Sequence, residues 1–470
     1  MRYISTRGEA PALSFADCLL AGLARDGGLY VPETWPTLSR AEVAALAGKR
    51  FDEVAFDLMR RFTGGTIADA DLARMTHEAY AGFGHPAVTP LVQADANSFV
   101  LELFHGPTLA FKDVAMQLLA RLMDHVLAAR GERATIVGAT SGDTGGAAIE
   151  AFRASKRVDV TILFPDGRVS DVQRRMMTTP TEANVHALAI DGTFDDCQAL
   201  VKGMFNHHAF RDRIGLSGVN SINWARILAQ VTYYFVAATA LGAPDRPVSF
   251  TVPTGNFGDI FAGYVAKKLG LPIDQLIIAT NVNDILARTL ESGRYEVTGV
   301  VATTSPSMDI QVSSNFERLL FEAGGRDAGA VRAMMGALSQ AGSFAVPGPT
   351  LAEIRTSFSA ASVSEDEVAG TIRRMRTDAG YNLDPHTAVA VAAARKARHD
   401  SRVPMVVLST AHPAKFPDAI AAITGERPAL PARLAGLMEA PERIAHAGND
   451  LASVERFVEQ HAAAARGAAA

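Results

Sequence analysis

From position 97 onward, apolar and polar residues repeat one theme: a short apolar run, a small or polar loop, then apolar positions three and four apart. Residues 99–104 read as a strand. Ala115, Leu118, Leu119, Leu122 and Val126 recur at helical spacing, which predicts a helix over 111–130, with Gly131 as its stop. Residues 134–137 form the next buried strand, 138–146 a Gly/Ser/Thr loop, 147–154 a helix and 160–164 a further strand. The same strand–loop–helix order returns at 248–252, 254–258 and 260–269, and again at 405–408, 409–413 and 416–423. Such alternation predicts an α/β fold with two open, mostly parallel α/β domains.

Four regions follow. Residues 1–90 mix turns with helical spacing. Within them, Gly27-Gly28 turns into an extended Tyr30-Val31-Pro32, and Val43, Ala44, Leu46, Val54 and Leu58 give helical spacing across 41–62. Residues 91–215 are expected to form a smaller α/β domain and 216–430 a larger one. Residues 431–470 read as a helical tail that frays in its Ala-rich end from Ala462.

Composition narrows the function classes. The chain has 470 residues, 48% hydrophobic and 20% charged, with a formal net charge of −5, which suits a soluble enzyme and gives nucleic acid no basic footprint. Cys18 and Cys197 are the two cysteines, which fits small buried side chains in a reducing cytoplasm. The twelve histidines show no metal-ligand spacing, so no metal is expected. The longest apolar run, about 231–243, contains Thr and two Tyr and is too short to span a bilayer.

Three junctions carry candidate chemistry. A helix N-terminus presents unpaired N–H groups and partial positive charge, which attract anions. The loop Gly255, Asn256, Phe257, Gly258, Asp259 suits a phosphate, its glycines allowing close main-chain approach, although a plain βα turn fits the same residues. The loop containing Thr140, Ser141, Gly142, Asp143 and Thr144 is richer in hydroxyls than a turn requires and suits a carboxylate. Neither loop matches a Walker or dinucleotide fingerprint. Lys112 stands where the 111–130 helix begins, the end that disfavours a cation. A solvated surface lysine beside Asp113 explains it, and so does a buried, partly neutral amine able to form an imine.

The run Glu102, Thr108-Leu-Ala-Phe-Lys112-Asp113 and Met116 resembles the cofactor-attachment site of pyridoxal-phosphate enzymes of the dehydratase and threonine synthase group. Around it, Tyr3-Ile-Ser-Thr-Arg-Gly8, Asp26-Gly-Gly-Leu-Tyr-Val-Pro32, Ala139-Thr-Ser-Gly-Asp-Thr-Gly145, Gly255-Asn-Phe-Gly-Asp259, Ser307-Met-Asp-Ile310 and Ser409-Thr-Ala-His412 follow in order. That ordered set resembles the threonine synthase family over nearly the whole chain.

The resemblance implies a fold type II enzyme with pyridoxal 5'-phosphate in the cleft between the domains. Lys112 would be the Schiff-base lysine and general base. The Gly255–Asp259 loop would take the cofactor phosphate, Thr410 the ring nitrogen, and Asp143 the neighbourhood of the 3-oxygen, where an acid needs a proton or a cation beside it. The substrate implied is O-phospho-L-homoserine, converted with water to L-threonine and phosphate. Its carboxylate is expected on the 140–144 loop. Its phosphate is expected among Ser221, Asn223, Arg226 and Lys415, with Arg174 and Arg175 as further candidates, though 220–226 also reads as a capped helix start. The nearest alternative, a threonine or serine dehydratase or a cysteine synthase, lacks a place for the N-terminal block and the Ser307–Ile310 segment. A monomer or homodimer is expected. So is the absence of the added N-terminal segment tied to S-adenosylmethionine control in plant relatives.

Overall fold

The structure, a computed structural model, describes residues 1–462; the end of the Ala-rich tail lies outside the described residues. Strand β1 (Tyr3–Ser5) pairs antiparallel with β2 (Tyr30–Pro32). The helical spacing across 41–62 resolves into two helices, Arg40–Ala44 and Phe51–Thr63. The break falls at Gly48, whose φ of 76° lies in the left-handed region that glycine adopts without strain. This N-terminal region lies against the larger half of the molecule. Thr6 Oγ1 donates to Glu317 at 2.6 Å, Arg7 pairs with the same carboxylate at 2.9 Å, and Tyr3 packs against Trp224.

Along the chain follow β3 (Leu91–Gln93), β4 (Ser98–Glu102), β5 (Ala134–Ala139), β6 (Val158–Pro165), β7 (Val185–Ile190), β8 (Leu216–Ser217), β9 (Val248–Pro253), β10 (Ile273–Thr280), β11 (Arg294–Glu296), β12 (Ser343–Ala345), β13 (Phe358–Ser362), β14 (Met405–Ser409) and β15 (Ala445–Ala447). They build a six-stranded sheet in the order β13-β10-β9-β14-β4-β3, a five-stranded sheet β15-β7-β6-β5-β8, and a small β11-β12 ribbon. The five-stranded sheet is wholly parallel; the six-stranded one is parallel except for β3 against β4. Helices cover both faces, so β6 and β9 are buried along their whole length, as parallel strands require.

Sheet membership departs from the boundaries expected at 91–215, 216–430 and 431–470. Strand β4 pairs with β14 (Ser98↔Met405 through Glu102↔Ser409), so it belongs to the larger sheet although Lys112 follows it. Strand β8 lies beyond 215 yet pairs with β5. The closing segment is not purely helical: β15 adds an edge strand to β7, and the helix Leu451–His461 buries Val454 and Val458 against Leu200 and Met204. These are pairings between segments far apart in sequence, which local periodicity does not encode.

Ligands in open α/β sheets bind beyond the carboxyl ends of the strands. Here the ends of β4, β9 and β14 lead into the Lys112 segment, the Gly255 loop and Thr410, and the end of β5 leads into the Thr140 loop.

Candidate active site

The segment between β4 and the helix Lys112–Arg130 is fixed from both sides. Thr108 donates to the buried Asp113 carboxylate through its N–H at 2.8 Å and its hydroxyl at 2.6 Å. Burial pushes the Asp113 carboxyl up to about 6. Leu109, with φ of 59°, is held in the left-handed region, its carbonyl accepting from His412 N at 3.0 Å. Phe111 N donates to Thr410 O at 2.8 Å, which sews the start of the lysine helix to the end of β14 and brings Thr410 beside it.

Lys112 is buried at 9% exposure, so the surface-lysine reading is set aside. Its amine lies 3.6 Å from Asp143 Oδ2 and 5.1 Å from the Phe111 ring centroid. Burial is the main force lowering its pKa; Asp143 opposes this, and the positive fields of Lys415 and Arg226 add to it.

Asp143 begins the helix Asp143–Phe152, four residues earlier than the spacing suggested. Glycines allow that early start: a Cβ on Gly145 would lie 2.5 Å from Thr140 and 2.7 Å from Ile162, so only glycine lets the helix abut the sheet. The Asp143 carboxylate accepts from Gln173 Nε2 at 2.8 Å and pairs with Lys415 at 2.7 Å. Burial alone would raise its pKa; Lys415 and Lys112 outweigh that and hold the carboxyl well below the usual range. The cation that an acid at this place requires is therefore Lys415.

Several expected ligands are otherwise engaged. Lys415, at 1% exposure, donates to Thr108 O at 2.6 Å as well as pairing with Asp143 at 2.7 Å, which commits two of the three donors of its ammonium. Asn223 caps the helix Trp224–Ala240, accepting from Ala225 N at 3.0 Å and donating to Leu19 O at 2.9 Å; its role is the structural cap. Thr140 accepts from Gly142 N and Gly145 N, both at 2.9 Å, and so shapes its loop from within. Arg174 and Arg175 turn to Glu442 at 2.9 and 3.5 Å, fastening the closing segment. Ser141 and Thr144 remain at the N-terminus of the Asp143 helix, where their main-chain N–H groups and hydroxyls suit an anion, while the Gly142 N–H is taken by Thr140.

The second anion-binding junction follows β9. Phe257 adopts a left-handed φ of 65° and starts the helix Gly258–Lys268. Its buried ring packs against Phe316 and Phe358, which offsets that conformation. Loop carbonyls are tied back: Ser313 Oγ donates to Gly255 O at 2.6 Å and Asn315 Nδ2 to Asn256 O at 2.9 Å. Asn315 also reaches Ser221 O at 3.2 Å, which sets Ser221 beside this loop. Asp259 faces inward against the hydroxyls of Tyr233 and Tyr234, and burial pushes its carboxyl up to about 7.

Arg226 is 3% exposed and donates to Val219 O at 3.1 Å. Among the described residues no carboxylate lies within 4.0 Å of its guanidinium, and its Nε has no partner. A buried cation without a counter-ion is costly unless an anion arrives. Lys112 and Lys415 share the Asp143 carboxylate, whereas Arg226 has no carboxylate within 4.0 Å among the described residues.

Sequence reasoning missed Gln173, Ser313, Asn315, the Tyr233–Tyr234 pair and the Thr108–Asp113 lock. Only Asn315 offered a signal, as the last of three polar residues before an apolar helix.

Comparison with known proteins agrees with this geometry. Residues 2–80 match the model of the threonine synthase N terminus, 83–352 that of pyridoxal-phosphate dependent enzymes, and 387–458 that of the threonine synthase C-terminal region. The chain is 55% identical over 462 residues to the threonine synthase of Pseudomonas aeruginosa, covering 98% of each. Against that of Saccharomyces cerevisiae it is 45% identical, covering 89% of this chain and 88% of the other. A PLP-bound threonine synthase from Brucella melitensis superposes with a TM-score of 0.96 at 64% identity, covering 98% of this chain and 99% of the other. A threonine deaminase from Solanum lycopersicum shares the fold alone, with a TM-score of 0.51 at 14% identity over 83% of this chain and 100% of the other. Among the described residues no helix is long and apolar enough to cross a membrane. With family matches running from residue 2 to 458 around a buried lysine in an anion-ready cleft, the chain belongs to the threonine synthase family of pyridoxal-phosphate-dependent enzymes.

Proposed function

We propose that the protein converts O-phospho-L-homoserine and water to L-threonine and phosphate, with Lys112 as its cofactor lysine and general base. The observation that carries this is the buried Lys112 amine, 3.6 Å from a carboxylate that it shares with Lys415. The residues fit pyridoxal phosphate. The Gly255–Asp259 loop opens a helix N-terminus, and a Cβ at Gly255 would crowd the Ser307 carbonyl at 2.6 Å. Unpartnered Arg226 Nε and the three buried cations favour a bound anion.

Gly255, Asn256, Phe257, Gly258 and Asp259 would hold the cofactor phosphate by main-chain N–H groups. Thr410, at the end of β14, would meet the ring nitrogen, and Asp143 would stand near the 3-oxygen with its charge balanced by Lys415. When bound, the cofactor stabilises negative charge at the substrate Cα. Lys112 Nζ takes the Cα proton; a buried amine with lowered pKa is neutral more readily and so can accept it. Ser141 and Thr144 orient the substrate carboxylate at the Asp143 helix N-terminus, with Gly142 shaping the turn through its bond to Thr140. Ser221 and Arg226 receive the phosphate that leaves, Arg226 being the buried cation with capacity to pair.

We place these groups in a cleft between the two α/β domains, in a monomer or a homodimer. Buried, free Cys18 and Cys197 fit the cytoplasm. Purified enzyme should release phosphate from O-phospho-L-homoserine and form no 2-oxobutyrate from threonine. Lys112→Ala should lose both turnover and the visible band near about 410–430 nm expected of lysine-linked cofactor. A Lys112→Ala protein that works at wild-type rate overturns the assignment.

A further inference from the structure

The group that distinguishes this pocket is Lys415. It stands between the two sheets, its amine 2.7 Å from Asp143 Oδ1 on the side of the smaller sheet and 2.6 Å from Thr108 O in the lysine segment. Its carbonyl accepts from Ser170 Oγ at 3.2 Å, next to the helix that supplies Gln173. Lys112 reaches the other oxygen of the same carboxylate at the longer distance of 3.6 Å. One carboxylate therefore serves two buried ammonium groups, and the nearer is not the reactive one.

We propose that Lys415 is a positioning residue: by occupying Asp143 it keeps that carboxylate ionised and in place, yet stops it from locking Lys112 as an ammonium. The inference rests on Lys112 being the cofactor lysine, as proposed above. The charges that face Lys112 are Asp143, Lys415, Arg226 and, through the Gly255 loop, Asp259; Asp113 faces Lys415. Of these, Asp143 is the one placed to hold a proton on Lys112. Removing Lys415 leaves Asp143 and Lys112 as a simple buried pair, and a lone opposite charge favours the protonated amine. Gln173 would still orient the carboxylate at 2.8 Å, so the geometry has a second support when the charge is removed.

The test uses the full-length enzyme and a readout other than turnover. Two midpoints are measured against pH: the visible band of the cofactor-loaded enzyme, and the acetylation of Lys112 by acetic anhydride in the cofactor-stripped chain, read by peptide mass spectrometry. In Lys415→Met, which keeps the side-chain volume, both midpoints should rise by about one pH unit or more. Acetylation at a fixed pH below the midpoint then falls roughly tenfold. Lys415→Arg should hold both near wild type. Asp143→Asn should lower them, and the Lys415→Met/Asp143→Asn double variant should undo most of the rise. A structural role alone predicts no opposite signs. Unchanged midpoints in folded Lys415→Met, or a double variant that shifts as far as Lys415→Met, overturn the proposal. If Lys415→Met does not fold, Lys415→Gln and Asp143→Asn carry the same comparison. Loss of the band dependence on Lys112 itself would instead remove the underlying assignment.

Discussion

Gly255→Ala isolates the phosphate loop from the rest of the site. A Cβ there would sit 2.6 Å from Ser307 O and 3.5 Å from Met308 Cα. Ser307 cannot retreat freely, because its N–H donates to His386 Nε2 at 3.2 Å, and His386 is braced by Asp384 at 3.0 Å. The Gly255 carbonyl is held on the other side by Ser313 Oγ at 2.6 Å. Relief must therefore come from the loop main chain, the part proposed to donate N–H groups to the cofactor phosphate. One added methyl in a tight site costs about 1–3 kcal/mol. If the loop escapes by moving, restoring it on binding costs that much again in affinity, roughly 5- to 150-fold. The assay strips the cofactor, titrates it back and follows the visible band, with thermal melts alongside. Gly336→Ala is the matched control: it lies within the helix Ala328–Ala341 with nothing within 4 Å of its added Cβ, and should gain up to about 1 kcal/mol in stability without touching affinity. A Gly255→Ala enzyme that binds cofactor within about twofold of wild type refutes the argument, since the clash would then be absorbed elsewhere.

Asp259 sets a pH dependence of stability. Its folded carboxyl, pushed up to about 7 by burial, binds a proton that the unfolded chain releases near pH 4, so the folded state holds more protons between those values and stability falls as pH rises through them. In the cofactor-stripped protein, Asp259→Asn should therefore melt higher relative to wild type at pH 8 than at pH 5; an equal difference at both values would mean that the carboxyl does not titrate there. Thr108→Val removes a hydroxyl that donates to buried Asp113 at 2.6 Å and should destabilise by about 1–3 kcal/mol, seen as a lower denaturant midpoint. Because that lock shapes the segment leading to Lys112, the variant should also bind cofactor more weakly; unaltered affinity would show that the loop is held by its bridge to Ala411 instead.

Much of the molecule was legible from local pattern. The helix Lys112–Arg130 begins within a residue of its expected start, because Ala115, Leu118, Leu119 and Leu122 mark a face and Gly131 ends it. Strands β5, β6, β9 and β14 fall on their apolar runs for the same reason: a strand buried on both faces is mostly apolar. The two glycine loops and Lys112 were visible as residue types that ordinary turns and helix starts do not need.

What the sequence by itself determined was therefore local: which segments are strands and helices, where their helix N-termini lie, and, through an ordered set of motifs, the family. The tertiary structure alone decided which strand lies beside which, and so that β4 and β15 belong to sheets other than their neighbours in sequence suggested. It also decided which charges meet. Lys415 and Asp143 are 272 positions apart in numbering yet 2.7 Å apart in space, and Asn223 proved a cap while Arg226, three residues on, has no counter-ion among the described residues. Periodicity reports the face that each element buries; the partner of a buried charge depends on how the faces of distant elements come together, and no local spacing carries that.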